Sequence, residues 1–292
     1  MKIGVSSYSF HRLVEKGTLD QLDIIQKTKD LGFDVIEFST FSLPKGETPL
    51  SYAPKVKAEC DRVGLTVANY TIFADFLNGS NGDIEKEIER LKEEVQVASI
   101  LGSPGMRHDA AWGPDKNKQR VQSFDVLLPV LAQGCLAVTE YAASLGIKTM
   151  IENHGYFAQD STRVEKLVNA VNHPNFGLLI DMGNFLCVDE NPTDALGKLL
   201  PYAFHVHTKD FHVKSGLEAN PGEGWFPSRA GNFLRGAIIG HGNAPITQSL
   251  RLLKREGYDG VLSVEFEGME DPIEGITIGQ RNLRRYLALL DM

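Results

Sequence analysis

Apolar residues recur along the chain in two alternating rhythms. In "KVKAECDRVGLTVANY", Val56, Cys60 and Val63 fall three or four positions apart, the spacing of one helix face, and the residues after Gly64 run together as a short strand. "LDIIQKTKDLGFDVIEF" repeats the phrase through Gly32, "CLAVTEYAASLGIKTMIEN" through Gly146 and "SLRLLKREGYDGVLSVEF" through Gly257. Glycine just past a helix takes the left-handed conformation at little cost, so each of these marks a helix stop. Further helical patterns start at Asp83 ("DIEKEIERLKEEVQVASIL") and at Ser161 ("STRVEKLVNAV"), the latter with Ser161 as its expected N-cap.

The pattern predicts eight strands, near 3–7, 34–38, 65–70, 104–107, 147–152, 177–181, 203–207 and 261–265. Eight strand–helix beats predict an α/β protein, a (β/α)8 TIM barrel forming a single domain over 1–292. An open doubly wound sheet is the competing architecture, but GxGxxG does not follow the first strand, and the GxG in "IIGHGNAP" has no strand–turn–helix context. A long loop insertion is expected at about 214–245, glycine-rich and carrying Trp225, Phe226, Arg229 and Arg235, as a lid or pocket wall.

Composition narrows the class. The 292 residues are 42% hydrophobic and 23% charged, ordinary globular values, and the formal net charge is −8. Without a basic block, neither nucleic acid nor an anionic membrane is expected as a partner. Cys60, Cys135 and Cys187 are scattered without CxxC spacing, as reduced thiols would be. The start, "MKIGVSSYSF", lacks the apolar core of a signal peptide, and a cytoplasmic location is expected.

The chemistry gathers at strand ends, where a barrel carries its active groups. "KTMIENHG" ends in Glu152, Asn153 and His154, "FGLLIDMGN" in Asp181, "AFHVHTKD" in His207, and "GVLSVEFEG" in Glu265 and Glu267. Side chains alternate faces along a strand, so Met150, Glu152 and, if the strand continues, His154 share one face; His205 and His207 share another. Adjacent strands lie about 4.8 Å apart, so four successive ends can converge on one ion. Carboxylates meeting in a low-dielectric mouth repel each other, and a divalent cation relieves that cost. A divalent metal ion is therefore expected at these strand ends, with His207 a ligand and His205 a deeper hydrogen-bonded neighbour. This oxygen-rich set with one imidazole suits Mn²⁺ first, with Mg²⁺, Co²⁺ or Zn²⁺ as alternatives.

"MIENHG", "LLIDMGN", "HVHTKD" and "LSVEFEG", in that order, resemble the xylose isomerase-like TIM-barrel family, which includes sugar phosphate isomerase/epimerase-type proteins, ketose 3-epimerases and hydroxypyruvate isomerase. The resemblance implies that Glu152, Asp181, His207 and Glu265 are the metal ligands, and that Glu152 and Glu265 double as an acid–base pair. Two departures from the ketose 3-epimerases, Asn184 where they carry histidine and Val213 where they carry arginine, imply a different substrate shell. "ENHG" is similar to the metal subunit of bacterial C-glycoside deglycosidases, which implies His154 as an alternative base. The expected activity is that of a metal-dependent isomerase or epimerase of a small sugar or sugar derivative. The alternatives are a lyase or dehydratase on a keto-sugar, a metal phosphodiesterase and a non-catalytic sugar-binding subunit. The family resemblance also allows a homo-oligomer or a partner subunit.

Other candidates to touch substrate are Arg107 and His108 in "GMRHD", with an Arg107–Asp109 ion pair as the plainer alternative for that loop. Lys209 is expected either to contact substrate or to pair with Asp210 at the strand end. Trp225 is expected to stack on a sugar or pin the lid, and Tyr8 to wall the pocket, beside Phe10. His212 and His241 are expected to face solvent or loop backbone.

Overall fold

The computed structural model describes residues 1–114 and 123–290; the expected domain range also takes in 115–122 and 291–292, which lie outside them. Its strands are β1 (Lys2–Ser6), β2 (Val35–Phe38), β3 (Thr66–Ile72), β4 (Gly105–His108), β5 (Lys148–Glu152), β6 (Phe176–Asp181), β7 (Ala203–Thr208), β8 (Asp210–Lys214), β9 (Phe226–Pro227), β10 (Phe233–Ala237) and β11 (Val261–Val264). Eight of them close into a barrel in the order β1-β11-β7-β6-β5-β4-β3-β2, every pairing parallel. The chain is thus a single-domain (β/α)8 barrel with helices outside, and each expected strand is present within a few residues.

The helices end as the glycines predict: Gly32, Gly64, Gly146 and Gly257 take left-handed backbone at φ 77°, 69°, 73° and 75°. One start moves. Asp160, not Ser161, caps the helix Ser161–Val171, its side chain accepting from the Arg163 N–H, while the Ser161 hydroxyl is held by Glu190. Helix Phe124–Ser144 is long and apolar enough by length and composition to cross a membrane, yet it packs between its neighbouring helices and β5 in the outer ring.

The expected loop at 214–245 is mostly irregular but carries two short strands, β9 and β10, that form a small sheet with β8. β8, β10 and β9 pair antiparallel, and Phe211 and Leu234 bury a second apolar cluster with Cys187. Its glycines and prolines disguised the alternation of "DFHVK" and "FLRGA". Asp210 does not pair with Lys209. Its carboxylate turns away and accepts the backbone N–H groups of Gly240, Gly242 and Ala244, each at 2.9 Å, tying the insertion to the strand that precedes it.

Candidate metal centre at the barrel mouth

Strands β5, β6, β7 and β11 are consecutive in the barrel, and their register lines up the acidic ends. Asp181 faces His207 across β6–β7, and Ser263, two residues before Glu265, faces the same His207 across β7–β11. Glu152, Asp181, His207 and Glu265 each offer a ligand atom, and these four atoms lie within 4.8 Å of one another. His207 Nδ1 sits 3.5 Å from Glu265 Oε2, 3.7 Å from Asp181 Oδ2 and 3.9 Å from Glu152 Oε1.

Two of these atoms have no hydrogen-bond partner among the described residues: His207 Nδ1 and Asp181 Oδ2, both wholly buried. Asp181 Oδ1, by contrast, accepts from the N–H groups of Gly183 and Asn184 at 2.8 and 2.9 Å. Leaving a buried polar atom unpaired costs about 1–3 kcal/mol, so two such atoms aimed at one another's neighbourhood mark a missing partner. Three carboxylates and an imidazole are the donor set of a hard or borderline divalent cation. The cluster could hold one.

Cationic side chains already balance part of this charge. Lys209 Nζ lies 2.6 Å from Glu265 and 3.3 Å from Asp181, and Arg107 Nε lies 2.7 Å from Glu152. Burial pushes the Glu265 carboxyl up, but Lys209 and His207 overcome it and hold it well below the usual range. Glu152 goes the other way: burial dominates over Arg107, and its pKa is raised. The two glutamates thus differ in proton affinity, as an acid–base pair requires.

Above the cluster opens a cavity of about 480 Å³. Tyr8, Phe73 and Trp112 supply aromatic wall, and His154, Arg107 and Lys209 reach into it. β5 stops at Glu152, so His154 does not arrive on a continuing strand; a loop with Gly155 and Tyr156 at positive φ carries it to the cavity. Its Nδ1 lies 2.9 Å from Asp109 Oδ1 and 3.1 Å from Arg107 Nη2, which orients the ring and leaves Nε2 as its other nitrogen. Arg107 also binds Asp109, at 2.9 Å, as the ion-pair reading expects, while lining the cavity.

Two expected substrate contacts lie elsewhere. His108 follows Arg107 on β4 and so points to the opposite face, where Phe76 and Phe176 enclose its ring and its Nδ1 meets the Asp109 carbonyl oxygen at 2.8 Å. Trp225 belongs to the small sheet and lies under Lys214 and Arg235, away from the cavity. Residues that sequence reasoning passed over include Trp112, Phe73 and above all Glu37. The only signal for Glu37 was a carboxylate inside the apolar strand "VIEF". Asn184, noted as a departure, donates to Glu152 Oε1 at 2.9 Å and steadies it.

A parallel eight-stranded barrel with a carboxylate–histidine cluster on four adjacent strand ends defines a class of metal-ready barrel proteins. The family model for the xylose isomerase-like TIM barrel matches residues 25–286, and the chain belongs to that family. Among curated relatives, the putative hydroxypyruvate isomerase of Homo sapiens is 26% identical over 195 residues, covering 65% of this chain and 63% of that protein. An inosose dehydratase of Clostridium botulinum is 26% identical over 161 residues, 53% of each chain, so these matches span between half and two thirds of the relatives. A xylose isomerase-like TIM-barrel protein from Mycobacterium smegmatis, crystallised in complex with magnesium, shares the fold at a TM-score of 0.71, with 17% identity over 98% of this chain and 96% of that one.

Proposed function

We propose that the protein is a divalent-metal-dependent isomerase or epimerase acting on a sugar or sugar derivative, with Mn²⁺ the first choice of ion. The observation that carries this reading is the buried quartet of Glu152, Asp181, His207 and Glu265, with His207 Nδ1 and Asp181 Oδ2 making no hydrogen bond among the described residues. A bound divalent cation supplies Lewis-acid stabilisation for the negative charge that develops on a carbonyl oxygen as the neighbouring C–H proton departs. Glu265, ionised beside Lys209, takes that proton. Glu152 returns a proton to the opposite face of the same carbon in an epimerisation; in an isomerisation the proton goes to the neighbouring carbon while that carbon's former carbonyl oxygen gains the hydroxyl proton of the first. Arg107 and Lys209, the cations that reach the cavity among the described residues, are already bound to carboxylates, which favours an uncharged polyhydroxy substrate over a phosphorylated one. Tyr8 and Trp112 offer faces for its ring. The three buried cysteines are free thiols, as suits a reducing compartment such as the cytoplasm. Self-association or a partner subunit belongs to the same proposal and is read by sedimentation.

A dehydratase reading has one observation of its own. His154, oriented by Asp109, is a third proton carrier and can protonate a departing hydroxyl after the α-proton has left. Incubating the Mn²⁺-loaded protein with keto-sugars in D₂O separates the two readings. Exchange without loss of oxygen supports isomerisation, whereas a new conjugated carbonyl supports elimination. Glu265→Gln is expected to lower kcat by about 10²–10⁴-fold while weakening Mn²⁺ binding only partly. A variant that keeps full turnover contradicts the assignment.

A further inference from the structure

Glu37 is fully buried on β2, three strands round the barrel from β7, at a register shift between Ile36 and Glu37 that re-aims the strand's side chains. Its Oε1 lies 2.6 Å from His207 Nε2, and its Oε2 lies 2.8 Å from His205 Nε2. Asn69 Nδ2 donates to Oε2 at 3.3 Å, and Ser263 Oγ lies 2.9 Å from His205 Nε2. A single carboxylate therefore collects two imidazoles and an amide from two other strands, β7 and β3.

The donor logic fixes the protons. A carboxylate only accepts, so the Nε2 atoms of His207 and His205 both carry hydrogen toward Glu37. A neutral His207 protonated at Nε2 presents a bare lone pair at Nδ1, the same atom that faces Glu152, Asp181 and Glu265. A carboxylate behind a metal-bound imidazole fixes ring orientation and tautomer and raises the basicity of the ligating nitrogen. A plain buried ion pair would need one histidine and would not require the opposite nitrogen to point into a cluster of carboxylates.

We propose that Glu37 is the positioning residue of the metal centre. It holds His207 in the Nε2–H tautomer so that Nδ1 meets the cation, while His205 and Asn69 hold Glu37 itself. This rests on the metal reading given under Proposed function and adds a residue that never touches substrate.

Mn²⁺ affinity of the wild type and of Glu37→Gln, read from free Mn²⁺ by electron paramagnetic resonance, tests it without any assay of activity. The variant is expected to bind about 10–100-fold more weakly, with its circular dichroism unchanged. A folded variant binding within twofold of the wild type overturns the proposal. If the substitution prevents folding, long-range ¹H–¹⁵N spectra of the Mg²⁺-loaded wild type decide the matter: Nε2 of His207 protonated and Nδ1 shifted by the metal supports it, and the reverse tautomer overturns it. A wild type that binds no Mn²⁺ removes the metal reading and this inference together, whereas tight wild-type binding with an indifferent variant removes only the role of Glu37.

Discussion

Two neighbouring side chains on β4 receive opposite fates. Arg107 points into the barrel mouth and pairs with Glu152 and Asp109, while His108 points outward among aromatic rings. Burial pulls the His108 pKa down to about 4, so the ring is neutral in the fold. Its pKa in the unfolded chain is near 6.5, so between those values the unfolded state binds more protons and stability falls as pH falls. The shift corresponds to about 3 kcal/mol, complete only below pH 4. Urea unfolding at pH 7 and pH 4.5 should show a smaller acid-induced loss in His108→Leu than in the wild type; an equal loss in both would deny His108 this role. "GMRHD" placed both residues at a strand end, and only the alternation of faces separates pocket from packing. The carboxylate–histidine quartet was legible for a related reason: each member lies at the end of an apolar strand, and the four strands are successive strands of the barrel. Glu37 was not. It meets His207 across a sequence separation of 170, a contact made only when the barrel closes.

At the level of elements, the insertion shows how one carboxylate can organise a segment that reads as irregular. Asp210 accepts three backbone N–H groups from Gly240, Gly242 and Ala244, so the chain beyond β10 folds back onto the start of β8. Gly242 has to be glycine here, because a Cβ would stand 2.2 Å from Asp210 Oδ1 and 2.5 Å from the Phe211 carbonyl oxygen. Removing the carboxylate leaves those donors to whatever water can reach them. Asp210→Ala is therefore expected to lose about 2–4 kcal/mol in urea denaturation, since each unsatisfied buried group costs about 1–3 kcal/mol. A loss below 0.5 kcal/mol, about the scatter of surface substitutions, would show that the turn holds without it. Periodicity could not reveal this element, because strands of two to five residues separated by glycine and proline carry too little pattern.

On the scale of the whole molecule, the barrel does two things for the centre. Closing the sheet brings β2 beneath β7, which sets Glu37 behind His207, and it gathers β5, β6, β7 and β11 at one rim, where their carboxylates meet. Such a concentration of buried acid is costly on its own, and Arg107 and Lys209 offset only part of it. The remaining negative charge, and the lack of a hydrogen bond at His207 Nδ1 and at Asp181 Oδ2 among the described residues, call for one cation at one place. Crystals soaked in Mn²⁺ and measured at a wavelength where manganese scatters anomalously test this most directly. A single strong anomalous peak within bonding distance of Glu152, Asp181, His207 Nδ1 and Glu265 is the predicted result. A saturating soak that leaves those four side chains unliganded, or puts the ion elsewhere in the barrel, would contradict it.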